Sequence, residues 1–214
     1  MVTRAKICGL STPQAVQAAL AGDAGYLGFI FFENSPRNIS PDSAARLTAP
    51  VRGQNLRICA VTVDPDNALV DRLAEVVKPD FIQLHGHESP ARVQEIGQRT
   101  GLGLIKVLSV SEAADIDAAK AYETVVDHLM FEGKPPKDAE RPGGVGARFD
   151  WSLLAGRRFA RPWFLAGGLD PWNVGEAISQ SGAPMVDVSS GVERGPGLKD
   201  PSLITAFLEA VRRA

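Results

Sequence analysis

Val186-Asp187-Val188-Ser189-Ser190-Gly191-Val192-Glu193-Arg194-Gly195-Pro196-Gly197, close to the C-terminus, is the stretch from which the fold is read. It is entered through the mostly apolar run Met185–Val188, bounded by Pro184 before and Ser-Ser-Gly after. That is the pattern of a buried strand ending in a turn. The turn offers backbone N–H groups from small residues and two hydroxyls, and Gly191 would let a ligand come close to the backbone. Such a strand end suits a phosphate. Upstream, Phe164-Leu165-Ala166-Gly167-Gly168-Leu169 is a second apolar run that stops in glycines. Two adjacent strand ends of this kind fit the phosphate site of a (β/α)8 barrel, formed by the loops after strands seven and eight. On glycine content alone, two ordinary turns explain them as well.

The rest of the chain is consistent with a barrel. Eight apolar runs occur in order: Ala5–Cys8, Tyr26–Phe31, Arg57–Val63, Phe81–His85, Leu104–Val107, His128–Phe131, Trp163–Ala166 and Met185–Val188. Amphipathic segments alternate with them: Pro13–Ala21, Pro41–Leu47, Asn67–Val77, Pro90–Arg99, Ala113–Ala121, Trp151–Ala155, Pro171–Ser179 and Pro201–Arg212. Thr12-Pro13, Ser40-Pro41, Ser89-Pro90, Asp170-Pro171 and Asp200-Pro201 read as helix N-caps with proline in the first turn. Eight strand–helix units with short connections predict a closed parallel (β/α)8 TIM barrel, one domain over residues 1–214, with a doubly wound open sheet as the alternative. Two connections are long, Phe32–Ile39 and Gly133–Arg148. The second holds Lys134-Pro135-Pro136-Lys137 and Gly143-Gly144-Val145-Gly146. In a barrel both lie on the C-terminal face, where active sites are built.

Composition narrows the function classes. The 214 residues are 44% hydrophobic and 22% charged, with a formal net charge of −2, so no basic field draws in nucleic acid. No apolar run approaches the length of a membrane span, and no signal-peptide core precedes the first strand. Cys8 and Cys59 do not make a disulfide framework, and a reducing cytoplasm is the expected setting. No metal-ligand spacing and no nucleotide-binding glycine motif is found.

Cys8 closes strand one just before Gly9, which would put a thiol at the barrel mouth, although most free cysteines are small buried hydrophobes. Lys6 shares its parity and should favour the thiolate. Glu132 ends strand six and would place a carboxyl opposite Cys8, giving an acid and a base on two sides of the mouth. A surface carboxylate paired with Lys134 is the other reading. Asp127 is discounted, because it starts strand six and faces the other way. Arg37, in the loop after strand two, could pair bidentately with a carboxylate, or be simply solvated. Asp187 should project inward or onto the rim, or be a buried carboxylate with backbone partners. His85 is a weaker candidate, Cys59 reads as core, and His87 and His128 belong to no motif.

Along essentially its whole length the chain resembles the phosphoribosylanthranilate isomerase family of tryptophan biosynthesis. The resemblance is carried, in order, by Lys6-Ile7-Cys8-Gly9, Ser35-Pro36-Arg37, Gln83-Leu84-His85-Gly86, Gly143-Gly144-x-Gly146 with Phe149-Asp150-Trp151, Ala166-Gly167-Gly168-Leu169 and Asp187–Glu193. It implies a (β/α)8 barrel that needs no cofactor and acts on a small phosphorylated substrate, as a monomer or a homodimer. The implied reaction is the Amadori rearrangement of N-(5′-phosphoribosyl)anthranilate. An acid on strand six protonates the ribose ring oxygen, the ring opens to a Schiff base, and the strand-one cysteine removes the C2′ proton. Carried over, Cys8 is the base, Arg37 holds the anthranilate carboxylate and Asp187 contacts the bridging amine. Gly168, Ser189, Ser190 and Gly191 line the phosphate site. One position departs from the family pattern: its acid is an aspartate, and here Glu132 stands in its place. The extra methylene moves the carboxyl by roughly an ångström, a displacement that can cost about 100-fold where geometry is critical. Gly133 could let the backbone withdraw to absorb it. Two other readings remain open at this point: the histidine-pathway isomerase, which uses aspartates in both roles, and a barrel that binds a phosphosugar without turning it over.

Overall fold

A computed structural model describes residues 3–134 and 146–214. Eight parallel strands close into a barrel in chain order: β1 Arg4–Cys8, β2 Tyr26–Phe31, β3 Arg57–Thr62, β4 Phe81–Leu84, β5 Gly103–Val110, β6 His128–Gly133, β7 Trp163–Leu165 and β8 Met185–Val188. The barrel is closed by β1 against β8, with Lys6 opposite Asp187. The open-sheet alternative is thereby removed. In the long connection after β6, Pro135, Pro136, Lys137, Gly143, Gly144 and Val145 lie outside the described residues.

The strands are apolar on both faces because both are covered. Ile7, Leu27, Ile82, Leu129, Leu165 and Val186 point outward into the layer shared with the helices. Tyr26, Cys59, Ile105, Val107, Met130, Phe164 and Met185 point inward and fill the barrel. At its N-terminal end the filling is aromatic. His128 packs edge-on to Phe81 and Tyr26, with ring centroids 5.0 and 6.2 Å away, and is tilted against Phe164 at 5.7 Å. Towards the C-terminal end the inward side chains turn mostly polar, and there Lys6, Cys8, Gln83, Glu132 and Asp187 are all buried.

The helices are α1 Pro13–Ala21, α2 Pro41–Thr48, α3 Asn67–Arg72, α4 Pro90–Thr100, α5 Ala113–Asp117, α6 Val174–Ser181 and α7 Pro201–Arg213. Four of the five proline-marked caps form: the side chains of Thr12, Ser40, Ser89 and Asp200 accept N–H bonds from the first turn. The fifth does not. Asp170 Oδ1 accepts from the N–H groups of Trp172 and Asn173, both at 2.9 Å, in a turn that delays α6 to Val174. Asn173 then donates to the Gly168 carbonyl at 2.9 Å, so this turn braces the loop after β7. The segment Trp151–Leu154 is a single 3-10 turn, and α3 and α5 end earlier than the sequence suggests, continuing as π and 3-10 turns.

Candidate active site

Strand alternation brings the polar side chains together. On β1, Lys6 and Cys8 are two residues apart and both face inward. Lys6 Nζ donates to Asp187 Oδ1 at 2.7 Å, across the β1–β8 closure. Gly28, opposite Cys8 on β2, leaves the space these groups use. A Cβ there would sit 3.0 Å from Lys6 Nζ and 3.1 Å from Cys8 Sγ.

The electrostatics differ from the expectation in one respect. Burial pushes the Cys8 thiol above its ordinary value, and the Lys6 ammonium pulls it back only in part. The cation acts in the expected direction, but in this enclosed setting desolvation of the thiolate outweighs it. Lys6 itself, despite burial, is held above its ordinary value by Asp187. Cys59, deeper in the barrel, is pushed up to about 12 by burial, which fits a core thiol.

Glu132 is the last inward residue of β6, three strands from β1 around the closed barrel, and is buried. His85 lies one residue beyond β4, its N–H still bonded to the Thr62 carbonyl. Its Nε2 comes within 2.6 Å of Glu132 Oε2 across β5, an ion-pair distance although the angle is not that of a well-formed hydrogen bond. The turn after His85 is fixed from behind. Glu88 accepts from the N–H groups of Gly86 and Asp64 and is ion-paired at 2.7 Å with Lys106, which also donates to the Gly86 carbonyl. Asp127 precedes β6 at its N-terminal end and accepts from Leu104 N at 2.8 Å.

Arg37 is neither solvated nor open on all sides. It is buried, and Glu193 holds its Nε and Nη2 in a two-pronged ion pair at 2.7 and 2.9 Å. Glu193 begins β9 (Glu193–Gly195), which pairs with β10 (Leu198–Lys199) in a small hairpin after β8. Sequence reasoning gives Glu193 no task and passes over Lys199. Both pair with residues whose spacing carries no periodic signal.

The two glycine-rich strand ends do come together. Ser189–Gly191 follow β8, and Gly167 and Gly168, with φ of 92° and 62°, follow β7. Gly191 packs closely on the loop after β7. A Cβ there would run into the Leu169 carbonyl, so it is the neighbouring loop that approaches this backbone. Gly168 is covered in the same way by Gly146 and Arg148, and Arg148 donates to its carbonyl at 2.9 Å. Among the described residues no group of His, Cys, Asp or Glu is arranged to hold a metal ion. None of the described helices is long and apolar enough to cross a membrane.

Residues 5–210 match the family model for N-(5′-phosphoribosyl)anthranilate (PRA) isomerase. An N-(5′-phosphoribosyl)anthranilate isomerase of Caulobacter vibrioides is 65% identical over 210 residues, 98% of this chain and 96% of that protein. One from Paramagnetospirillum magneticum is 50% identical over 99% of this chain and 98% of its own length. Among solved structures, phosphoribosyl anthranilate isomerase from Thermotoga maritima superimposes with a TM-score of 0.87 at 32% identity, over 99% of this chain and 100% of that one. Another, at TM-score 0.84 and 30% identity over 99% and 100% of the two chains, is a phosphoribosyl anthranilate isomerase in complex with reduced 1-(o-carboxyphenylamino)-1-deoxyribulose 5-phosphate.

Proposed function

The chain belongs to the N-(5′-phosphoribosyl)anthranilate isomerase family, enzymes of tryptophan biosynthesis, and on that premise we propose that it performs the Amadori rearrangement with Glu132 as general acid and Cys8 as general base. The observation that supports the assignment is that two proton-bearing groups, on β6 and β1, are both buried among the inward side chains towards the C-terminal end of the barrel. A rearrangement that adds a proton at the ring oxygen and removes one from C2′ needs two such groups around a fixed substrate.

Each step has a residue. Glu132 gives its proton to the furanose ring oxygen, the C4′-side C–O bond stays, and the C1′–O bond breaks as the amine lone pair forms the Schiff base. Cys8, as thiolate, takes the C2′ proton, and the electron pair moves into an enolamine. Proton return at C1′, with loss of the C2′ hydroxyl proton, completes the ketone, so no atom is gained or lost. Lys6 lies within reach of the Cys8 thiol and stabilises its thiolate as the proton is moved. Asp187, held by Lys6, meets the bridging amine, where positive charge appears in the Schiff base.

Arg37 receives the anthranilate carboxylate, and Gly168, Ser189, Ser190 and Gly191 receive the phosphate. Binding at both ends supplies the energy that holds C2′ against Cys8. A buried ion pair such as Lys6–Asp187 is a poor means of stabilising a fold, since apolar residues of like volume often do as well, and this supports a catalytic reason for it. The test is the loss of anthranilate-type fluorescence when purified protein is added to fresh N-(5′-phosphoribosyl)anthranilate. Saturable turnover that Cys8→Ser lowers by about 100-fold or more is expected. Unchanged kcat in that variant would make Cys8 a structural thiol.

A further inference from the structure

The hairpin after β8 places one carboxylate between Arg37 and Lys199, and Lys199 in turn reaches Ser189. Glu193 accepts from Arg37 through both oxygens, from Lys199 Nζ at 2.6 Å, and from the Gly197 N–H at 3.2 Å. All three ionic side chains are almost fully enclosed, between 1% and 5% exposed. Lys199 Nζ also donates to the Ser189 carbonyl at 2.9 Å and lies 3.4 Å from Ser189 Oγ. At the hairpin tip Gly197, with φ of 78°, packs so closely on Pro36 that a Cβ would meet the Pro36 carbonyl. Pro36 directly precedes Arg37. The loop after β2 and the turn after β8 are therefore fastened to the same buried carboxylate.

We infer that Glu193 and Lys199 are positioning residues for the substrate: Glu193 sets the orientation of Arg37 toward the aryl carboxylate, and Lys199 holds the Ser189 turn and places a positive charge behind the phosphate. This rests on the reading that Arg37 and Ser189–Gly191 bind those two groups. Guanidinium orientation matters because its donors lie in one plane, and a carboxylate clamp on Nε and Nη2 fixes that plane. Burial works against both charged forms, but Glu193 is held below its ordinary value by the bond from Arg37 and the charge of Lys199. Burial pushes Lys199 below its ordinary value against the pull of Glu193, and its Nζ has three acceptors around it, the Glu193 carboxylate among them. Such a cluster costs desolvation that an apolar hairpin would not, which argues for a task beyond bracing the fold.

Steady-state kinetics of the full-length protein on N-(5′-phosphoribosyl)anthranilate, with inorganic phosphate as a competing ligand, separate that task from bracing. Glu193→Gln is expected to raise KM about tenfold or more with kcat changed far less, the mark of lost ground-state binding. Arg37→Ala with Glu193→Gln should cost no more than Arg37→Ala alone, because both remove one interaction. Lys199→Met should weaken inhibition by phosphate about fivefold or more, with Lys199→Arg largely restoring it. Unchanged KM in Glu193→Gln beside a raised KM in Arg37→Ala would overturn this inference alone, even if thermal stability fell. Unchanged KM in Arg37→Ala would overturn the reading of Arg37 and this inference with it. Should Glu193→Gln fail to fold, Glu193→Asp keeps the charge but moves it, and a KM equal to that of the unsubstituted protein would then overturn the proposal.

Discussion

His85 Nε2 and Glu132 Oε2 stand 2.6 Å apart at the C-terminal end of the barrel, spanning β5 between their own strands. The contact gives the glutamate a use for its extra methylene. Its carboxyl is steadied by a side chain from the turn just after β4, which is in turn fixed by the Glu88–Lys106 pair. His85→Asn is therefore expected to lower kcat about tenfold with little change in KM, through a less well-placed carboxyl. Made in a Glu132→Asp background, where the shorter side chain withdraws from His85, the same change should add little. Full additivity of the two substitutions in kcat would show that His85 does not act through Glu132.

The second expectation concerns the base. Burial holds the Cys8 thiol above its ordinary value, so the thiolate is scarce in the free protein at neutral pH. Since the thiolate is the active form, kcat/KM should rise with pH through an inflexion above the ordinary thiol range, and Cys8→Ser should remove that limb. A profile that rises through an inflexion well below neutrality would show that Lys6 outweighs burial after all.

Gly28 tests the space around that thiol. A methyl group there would meet Lys6 Nζ, Cys8 Cα and Cys8 Sγ, at 3.0, 3.1 and 3.1 Å. Overpacking of this kind costs about 1–3 kcal/mol, and the displaced atoms here are the reacting ones. Gly28→Ala should accordingly cut kcat by about tenfold or more while the protein still folds. Normal kcat would show that Cys8 and Lys6 can shift without penalty.

A fourth expectation concerns stability at the other end of the barrel. His128 is packed among Tyr26, Phe81 and Phe164, and burial holds its imidazole below its ordinary value of 6.5. Asp127 pulls the other way and Arg4 adds to the depression. Below pH 6.5 the unfolded chain then binds more protons at this site than the folded one, so its contribution disfavours folding as pH falls. The thermal midpoint should decline on acidification from neutral pH, and His128→Phe should flatten that decline. An equal slope in both proteins would show that His128 has no part in it.

What could be read in the sequence was what local chemistry dictates. The cap residues Thr12, Ser40, Ser89 and Asp200 found their helices because a side-chain oxygen three residues from an N–H acts within one turn. Asp170 misled for the same reason: its carboxylate satisfies Trp172 and Asn173 in a turn before any helix begins. Parity alone put Lys6 beside Cys8 and Glu132 inside the mouth. Register then paired Lys6 with Asp187, which no local pattern announces. Arg37 and Glu193 are joined across most of the chain, so neither the clamp nor the part played by Lys199 leaves a spacing to find. The balance between burial and Lys6 at Cys8 is likewise set by the assembled barrel.

The most direct test is turnover by Glu132→Gln, which keeps the shape of the side chain but has no carboxyl proton to give. With Glu132 as the general acid, consumption of N-(5′-phosphoribosyl)anthranilate falls by about 100-fold or more in this variant, the usual weight of such a group, while the product still binds as it does to the unsubstituted protein. Near-normal turnover by Glu132→Gln would contradict that role, and the proton for ring opening would have to come from another group.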